Sequence, residues 1–277
     1  PHSTGFSSYV DNVGEVKNTG WEASASVYLM RNAERDMTWM VTGQLAYNKN
    51  IVSKLSEAIK EQTESYLQSN VDVANLFYEG RPQNGLYVVR SLGIDPSNGE
   101  EVFLDKNGNR TDTWQPSDKV YVGQTEARYR GIANTMFMWK GLTVNLSAGF
   151  HWGGKQYNST LVDRVEVSIN TVKNRNVDAR ALYERWQKPG DIVSFRKFDD
   201  NTTRASSRFM PDKVFQIQSV SVQYRWDNDW IKKNLHASSL TFGVNMSDLL
   251  YVSTVKRERG TSYPFAHNIQ ASIKFLF

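Results

Sequence analysis

Alternation between apolar and polar side chains is the strongest pattern in this sequence. From Ile269 to Phe277 every second residue is apolar, and the residues between them are Gln270, Ser272, Lys274 and Leu276. The stretch 141–152 repeats the pattern, with its apolar positions running from Leu142 to Trp152. A period of two puts apolar side chains on one face of a β-strand and polar ones on the other. The same alternation predicts strands over 21–29, 37–47 and 240–246.

Two further stretches predict less regular strands. Residues 131–139 carry apolar side chains on both phases. In 213–226 the apolar positions change phase between Ile217 and Val220, which indicates a bulge or a change of surroundings along the strand.

The connections between these strands alternate between short and long. Short turns are predicted around 32–36 and at Lys140–Gly141, where glycine allows a positive φ. The other connections are long: 48–84, 95–130, 153–212 and 247–265. This asymmetry is typical of an outer-membrane barrel, with short periplasmic turns and long extracellular loops. The strand at 142–152 also has the roughly 9 to 11 residues that a tilted strand needs to cross a bilayer.

Strand direction constrains what lies within the long connections. Both short turns fall on the periplasmic side only if an even number of barrel strands, zero or two, lies between residues 48 and 130. We place two there, around 85–92 and around 101–104 or 119–122. Apolar residues at helical spacing predict a short loop helix over 176–188, with Asn176 as its cap and Pro189–Gly190 as its end, and another over 54–70.

Composition excludes several classes of protein. The chain has 277 residues, no cysteine, 39% hydrophobic and 22% charged residues, and no apolar run of the roughly 18 residues that a membrane helix requires. A helical membrane protein, a disulfide framework and a thiol nucleophile are therefore excluded, but a membrane barrel is not. The net charge of +4 comes from scattered basic residues, so we expect no nucleic-acid partner.

Candidate chemistry is sparse. The four histidines are isolated, and no nucleophile elbow, phosphate loop or dinucleotide fingerprint occurs, so we expect neither enzyme activity nor a metal or other cofactor. One stretch resembles a calcium loop, because Asp105 is followed by Asn107 and Asn109. An EF-hand requires Gly and Glu where this chain has Arg110 and Pro116. We favour a hairpin turn at Asn107–Gly108 instead.

Aromatic residues offer a second set of candidates. Five tryptophans lie near predicted strand ends, where a membrane barrel has aromatic girdles: Trp21, Trp39, Trp139, Trp152 and Trp226. A glycan-stacking platform is the alternative to a girdle. Trp114 and Trp186 lie outside the strands and are candidate ligand contacts. His151 and Asn145 fall on faces that would point into a barrel lumen, where hydration of the lumen is the favoured role and ligand binding the alternative.

Several sequence blocks resemble one family. They are Asn12 to Glu22 (NVGEVKNTGWE), Tyr47 to Asn50 (YNKN), Glu79 to Pro82 (EGRP), Gly93 to Pro96 (GIDP), Arg185 to Ile192 (RWQKPGDI), Ser206 to Phe209 (SSRF) and the terminal strand ending in Phe277. In this order they resemble the carboxyl-terminal part of SusC/RagA-like TonB-dependent outer-membrane transporters of Bacteroidetes.

This resemblance implies an all-β fold, an antiparallel transmembrane β-barrel segment with long extracellular loops. The chain would supply roughly seven to nine strands of a barrel of about 22. The plug and the amino-terminal strands would come from elsewhere in the transporter. The resemblance also implies import of oligosaccharides or oligopeptides, a SusD-like surface lipoprotein as lid, energy from TonB through the absent amino-terminal region, and a location in the outer membrane.

The terminal aromatic Phe277 is similar to the signal read by the barrel-assembly machinery, which makes it the expected carboxyl terminus. The chain departs from the family at the degraded acidic loop, in the block after Asp191, which lacks a proline, and at Gln216, where a basic residue is frequent. The alternative functions are a glycan-binding β-sandwich and a small self-contained outer-membrane barrel. The sequence does not choose between a sugar and a peptide as substrate.

Overall fold

The computed structural model describes residues 12, 14–69, 76–159, 161–198, 208–255 and 267–277. It divides into two compact units. The strand unit comprises Gly20–Asn48, Ala127–Gly154 and the described residues of Pro211–Phe277. The loop unit comprises the described residues of Pro1–Thr19, Lys49–Glu126 and Lys155–Met210. Among the described residues, none of the helices has the length and apolar character needed to cross a membrane.

Seven long strands form the main sheet, in the spatial order β1-β2-β8-β9-β10-β11-β12. Their bounds are β1 Gly14–Asn32, β2 Met37–Leu55, β8 Tyr129–Trp139, β9 Leu142–Tyr157, β10 Phe209–Trp226, β11 Ser239–Ser253 and β12 Asn268–Leu276. The alternating segments therefore all form strands, as predicted, and most of these extend beyond the predicted ends. In the described part of the chain, β1 and β12 are the edges of this sheet, which is not closed.

The pairing of β2 with β8 corrects one prediction. These strands pair directly and antiparallel, from Met37 opposite Trp139 to Tyr47 opposite Tyr129. Among the described residues between the end of β2 and the start of β8, no further strand enters the main sheet. The prediction of two barrel strands there was wrong, and the other even number, zero, is the one observed. The short turn at Lys140–Gly141 is confirmed, with φ values of 44° and 83°.

The predicted irregularity in β10 is also confirmed. Its pairing with β11 shifts register between Ile217 and Ser219, opposite a part of β11 where Asp248 has a φ of 56°. Phe215 on one side of the shift, and Val222 and Tyr224 on the other, are all exposed. The irregularity therefore keeps apolar side chains on the same face of the sheet although their sequence phase changes.

The segments predicted at 85–92, 101–104 and 119–122 form strands of two small sheets in the loop unit. One sheet pairs β3 (Gly85–Val88) with β7 (Val120–Gln124), and the other joins β4 (Arg90–Ile94), β5 (Glu101–Leu104) and β6 (Arg110–Thr111). All of β3 is buried, with Leu86 and Val88 packed against Phe209. A fully buried short strand gains more from this core than from a half-exposed place in the main sheet.

The described part of the loop unit also contains three α-helices, a 3₁₀-helix (Pro116–Asp118) and a π-helix (Leu161–Val165). The helix predicted over 54–70 is confirmed as α1 (Glu57–Gln68). The helix predicted over 176–188 is reduced to one turn, α3 (Arg180–Tyr183), and Asn176 does not cap it. The backbone of Glu184 and Trp186 bonds to Phe195 instead, so the chain turns into a bridge where the helix was expected to continue.

Two short helices were not predicted. In the loop unit, α2 (Ile169–Asn174) is capped by Ser168, whose hydroxyl accepts a hydrogen bond from Thr171 N. In the strand unit, α4 (Asp229–Leu235) follows β10 and is capped by the side chain of Asn228.

Candidate functional site

The two faces of the main sheet differ in chemistry within the strand unit. One face, here called the outer face, exposes large apolar side chains on every long strand: Trp21, Val27, Leu29, Trp39, Trp139, Trp152, Phe215, Val222, Tyr224, Phe242, Val244, Leu250, Val252, Ile269, Ile273 and Phe275. The opposite face, here called the inner face, is mostly polar, although the exposed side chains of Tyr28, Met30, Ile132 and Met138 also lie on it. This distribution follows directly from the period-two pattern and the antiparallel registers.

A furrow of about 590 Å³ is formed by β1, β2, β8, β9 and β10. Its polar side chains come from five adjacent strands: Glu22, Ser24, Gln44, Arg130, His151, Gln216 and Gln218. Together they present a carboxylate, a guanidinium, an imidazole and three carboxamides. Such a set offers both donors and acceptors to a polar ligand with several hydrogen-bonding groups.

His151 is the predicted site residue that lies in this furrow. Its Nε2 lies 3.0 Å from Oδ2 of Asp212 at the start of β10. The other oxygen of Asp212, Oδ1, is buried and has no hydrogen-bond partner among the described residues. Asn145 shares the inner face of β9 but lies six residues from His151, about 20 Å along the strand. The structure therefore does not bring these two predicted residues together.

Gly149 shapes the furrow between its polar walls. A β-carbon at this position would lie 2.5 Å from Nε2 of Gln218 and 3.5 Å from Nε2 of Gln216. The absence of a side chain on Gly149 therefore leaves room for both amides. Ser147, two residues earlier on the same face, donates to Oε1 of Gln218 over 3.4 Å.

Sequence reasoning missed Glu22, Gln44, Arg130 and Gln218 as site residues. Glu22 and Gln44 occupy polar positions of alternating strands, which was visible in the sequence, whereas Arg130 and Gln218 belong to the two less regular strands. What brings them together is the register between strands that are far apart in the chain, for example Arg130 opposite both Ala46 and His151. No local sequence pattern predicted the pairing of β2 with β8.

An aromatic row crosses four adjacent strands at one end of the outer face. Ring centroids lie 6.2 Å apart for Trp21 and Tyr47, 4.9 Å for Tyr47 and Tyr129, and 5.2 Å for Tyr129 and Trp152. Phe150 extends the row, 5.4 Å from Trp152. The rings of Tyr129 and Trp152 face each other at an interplanar angle of 18°, so they stack on one another rather than offering both faces to a sugar.

A second group of aromatics lies on β2, β8 and β10, towards the other end of the strands. It comprises Trp39, Trp139 and Trp226, with Trp230 of α4 stacked on Trp226 at 5.8 Å. The indole N–H of Trp39 donates to Oγ1 of Thr135 over 2.8 Å. On β2, Trp39 and Tyr47 are eight residues apart, about 26 Å along the strand. For a strand tilted by about 35–45°, this spacing corresponds to a height of about 19–22 Å, close to but below the apolar band of about 25 Å in a membrane barrel.

The predicted ligand contact Trp114 is half-buried in the loop unit. Its ring packs against Val89 and Phe103, and Nζ of Lys119 lies 5.7 Å from the ring centroid. Its indole Nε1 has no hydrogen-bond partner among the described residues. These contacts hold the ring in a local core, and its role as a ligand contact stays a prediction.

Trp186, the other predicted contact, joins two of the resembling sequence blocks. Its Nε1 donates to the carbonyl oxygen of Pro96 over 2.9 Å, and the backbone N of Gly190 donates to the same oxygen. Gly99 lies against the ring, since a β-carbon there would be 2.4 Å from it. The side chain of Trp186 therefore holds the 95–99 turn against the 185–190 segment.

Other blocks also meet inside the loop unit. Nδ2 of Asn50 donates to Oδ1 of Asn18, and the backbone of Val52 exchanges hydrogen bonds with Gly80 and Arg81. Asp95 accepts hydrogen bonds from the hydroxyl and backbone N of Ser97 and from Arg110, and these lower its pKa. The blocks that carry the resemblance thus hold the fold of the loop unit.

Two buried arginines complete this framework. Arg185 donates to the carbonyl oxygens of Ala181, Val167 and Arg196, and burial lowers its pKa. Arg208 forms a bidentate pair with Glu166, with one N–O distance of 2.7 Å. Burial lowers the pKa of Arg208, but the hydrogen bonds and charge of Glu166 outweigh this and raise it.

The Asp105 stretch forms the predicted turn. The carboxylate of Asp105 accepts hydrogen bonds from the backbone N of Asn107 and Asn109, and Gly108 has a φ of 93°. The carboxylate is therefore engaged by its own loop. Within the described ranges, no group of three or more His, Asp or Glu side chains is placed to hold a metal ion.

Phe277 follows β12 and is 81% exposed, with its ring 6.3 Å from that of Phe275. Its role as an assembly signal stays a prediction.

Comparison with known proteins confirms the resemblance to TonB-dependent transporters. No protein-family model matches the chain. TonB-dependent receptor P39 of Formosa agariphila is 20% identical over 304 residues, covering 90% of this chain and 28% of the relative. TonB-dependent receptor P3 of the same organism is 26% identical over 251 residues, covering 84% and 24%. The chain thus spans about a quarter of the length of these relatives.

Solved structures of the RagAB system share the fold. The RagAB peptide importer in the open-open state matches with a TM-score of 0.78 and 17% identity over 100% of this chain and 30% of the other. The closed-closed state gives 0.77 and 18%, over 99% and 31%. The RagAB peptide transporter gives 0.73 and 16%, over 92% and 28%. This chain therefore has the fold of part of a RagAB chain.

Proposed function

We propose that the chain forms part of the barrel wall and outer loops of a TonB-dependent transporter in a bacterial outer membrane. The observation that carries the proposal is the outer face of the main sheet. It exposes apolar side chains between two groups of aromatic residues about 26 Å apart on β2, while the inner face is mostly polar. A sheet with these two faces fits contact with lipid on its outer face and with a hydrated lumen on its inner face.

In this proposal the furrow contacts the transported molecule. Its donors and acceptors suit a polar oligomer, either an oligosaccharide or an oligopeptide, and the chain itself performs no chemistry. His151 contributes directly, while Asn145 lines the lumen farther along β9. The relatives named TonB-dependent receptors and the RagAB peptide importer support import as the activity.

The partners follow from the same proposal. The open edges at β1 and β12 require further strands, because unpaired backbone groups are costly in lipid. The remainder of the barrel, with its plug and TonB contact, supplies them. A SusD-like surface lipoprotein would dock on the loop unit, where Tyr183 and Ile192 are 80% and 92% exposed.

Cysteine labelling tests the membrane placement. This chain contains no cysteine, so single cysteines can be introduced at neighbouring positions of β11 that face opposite sides, Val244→Cys and Asn245→Cys. In intact outer membranes carrying the full-length protein, a water-soluble maleimide should label Asn245→Cys and spare Val244→Cys. Detergent extraction should make both reactive. Equal labelling of both in intact membranes, or recovery of the protein in the soluble fraction, would contradict the proposal.

The glycan-binding alternative predicts a different result. If the aromatic row bound sugars in a water-soluble β-sandwich, Trp21 and Trp152 would be accessible to water without detergent. Oligosaccharides would then protect them from oxidation by N-bromosuccinimide. The proposed transporter predicts protection of these residues by lipid, independent of sugar.

A further inference from the structure

A groove of about 620 Å³ lies where β9, β10 and β11 run side by side. Its walls on the outer face are apolar and come from Phe150, Trp152, Phe215 and Val252. Phe215 is 44% exposed and Val252 54% exposed, and they are direct cross-strand partners. The groove adjoins the aromatic row, which already contains Phe150 and Trp152.

Lys213 supplies a cation at one end of this groove. It lies two residues before Phe215 in β10 and therefore on the same face. Its backbone is fixed, because its N donates to Oγ1 of Thr254 and its carbonyl oxygen accepts from Thr254 N. Within the described part of the chain the Lys213 ammonium is in no ion pair. The adjacent Asp212 is directed to His151 instead.

We propose that this groove binds one lipid with an anionic, phosphate-bearing head group. An acyl chain would lie against Phe215 and Val252, and the phosphate would pair with Lys213. The proposal rests on the membrane placement proposed above. An aromatic row marks the interface between acyl chains and head groups, and a lysine beyond it reaches the head-group level. The long connection 158–208 enters β10 at this end, which indicates the extracellular side and hence the outer leaflet.

Charge decides between this occupant and ordinary bilayer lipid. Apolar walls alone would accept any acyl chain, whereas Lys213 adds a preference for a head group with a net negative charge. One lysine near a membrane surface contributes an attraction that corresponds to about fivefold in affinity. The groove is therefore expected to discriminate between lipids of equal chain length by head-group charge.

Native mass spectrometry of the full-length protein in mild detergent tests the proposal. The probes are lipid A with its phosphates, the same lipid after enzymatic dephosphorylation, and inorganic phosphate. The variants are Lys213→Ala, Lys213→Arg and, as a matched loss of charge on the inner face, Lys274→Ala. Val252→Trp fills the groove and leaves the charge in place.

We expect the wild-type protein, Lys213→Arg and Lys274→Ala to retain lipid A equally. Lys213→Ala should bind it about fivefold more weakly, and Val252→Trp should lose binding of both lipids. Inorganic phosphate should neither bind nor compete. Equal retention of lipid A and dephosphorylated lipid, unchanged binding by Lys213→Ala, or competition by inorganic phosphate would overturn the proposal. Membrane recovery of every variant, measured separately, distinguishes such a failure from failure of the membrane placement itself.

Discussion

The ring of Phe150 lies over Gly131, its direct partner on the neighbouring strand. A β-carbon built on Gly131 would be 2.2 Å from Cζ of that ring and 2.8 Å from the carbonyl oxygen of Gln44. Phe150 is also the end of the aromatic row and a wall of the groove formed by β9, β10 and β11. The position of the ring thus depends on the absence of a side chain on Gly131.

We therefore expect Gly131→Ala to destabilise the protein by about 1–3 kcal/mol, because the ring and the β8 backbone must both move. The measurement is the urea midpoint of the full-length protein in detergent. Gly43→Ala is the matched control, since Gly43 lies on the same face of β2 and a β-carbon there meets nothing within 4 Å. It should leave stability unchanged or raise it by up to about 1 kcal/mol. Equal midpoints for both variants would contradict this account of Phe150.

Gly149→Ala should affect uptake rather than folding. Its β-carbon would displace the amide of Gln218, a flexible side chain that swings aside into the furrow. The expected result is weaker uptake of the transported oligomer with an unchanged urea midpoint, measured by growth on that oligomer as sole nutrient. If cells with the Gly149→Ala variant grew as fast as cells with the wild-type protein, the furrow would not lie on the import path.

Glu166→Gln should destabilise the loop unit strongly. The substitution keeps the shape of the side chain but leaves the buried guanidinium of Arg208 without its counter-charge, a loss of about 3–5 kcal/mol. Limited proteolysis within 161–198 reports the effect. Glu57→Gln removes an exposed ion pair with Lys60 and should leave the proteolysis rate unchanged. An equal rate for both variants would argue against a structural role for the Arg208–Glu166 pair.

Acid should open the 95–99 turn. Hydrogen bonds from Ser97, followed by the contact with Arg110, hold the pKa of Asp95 below its usual value. Because the pKa is lower in the folded state, this stabilisation is complete above the unfolded value of about 3.9 and is lost as the pH falls through the folded value. Amide exchange at Ser97 and Gly99, corrected for its intrinsic pH dependence, should therefore accelerate at acidic pH. Asp95→Asn, whose side chain does not titrate, should show no such acceleration at acidic pH.

Tyr87→Phe should stabilise the loop unit or leave it unchanged. The phenol is buried, its hydroxyl has no hydrogen-bond partner among the described residues, and burial raises its pKa to about 12. Removing an unsatisfied buried hydroxyl gains about 1 kcal/mol. Since the folded pKa is raised, the wild-type protein loses stability as the pH rises from about 10 towards 12, and the variant should lose less. Tyr183→Phe, at an exposed position, should behave as wild type in thermal unfolding.

The long strands were predictable because alternation is a local property that survives in either a lumen or a lipid environment. The sheet that each short apolar run joins was not predictable. Residues 85–88 are buried throughout, so they carry no alternation and do not reveal which sheet they join. The bridge between Arg185 and Phe195, which ends α3 early, likewise depends on residues ten positions apart in sequence.

The furrow was only partly predictable. His151 stood out as a rare residue type on a polar strand face, whereas Glu22 and Arg130 are ordinary polar residues until the registers place them beside it. The tryptophans near strand ends were predictable as a group, since the predicted ends of each strand show that they lie there. Their stacking into one row required the alignment of four strands.

The residues most easily recognised in this chain, among them Trp186, Asp95 and Arg208, each bind another part of the loop unit: Pro96, Arg110 and Glu166, respectively. The furrow residues are common amino acids at positions where many substitutions keep the strand intact. The features by which this chain is recognised therefore lie in the framework that shapes the loops and carry no information about the molecule that contacts the furrow. Two chains that share every one of these framework residues can therefore still differ in the residues that line the furrow.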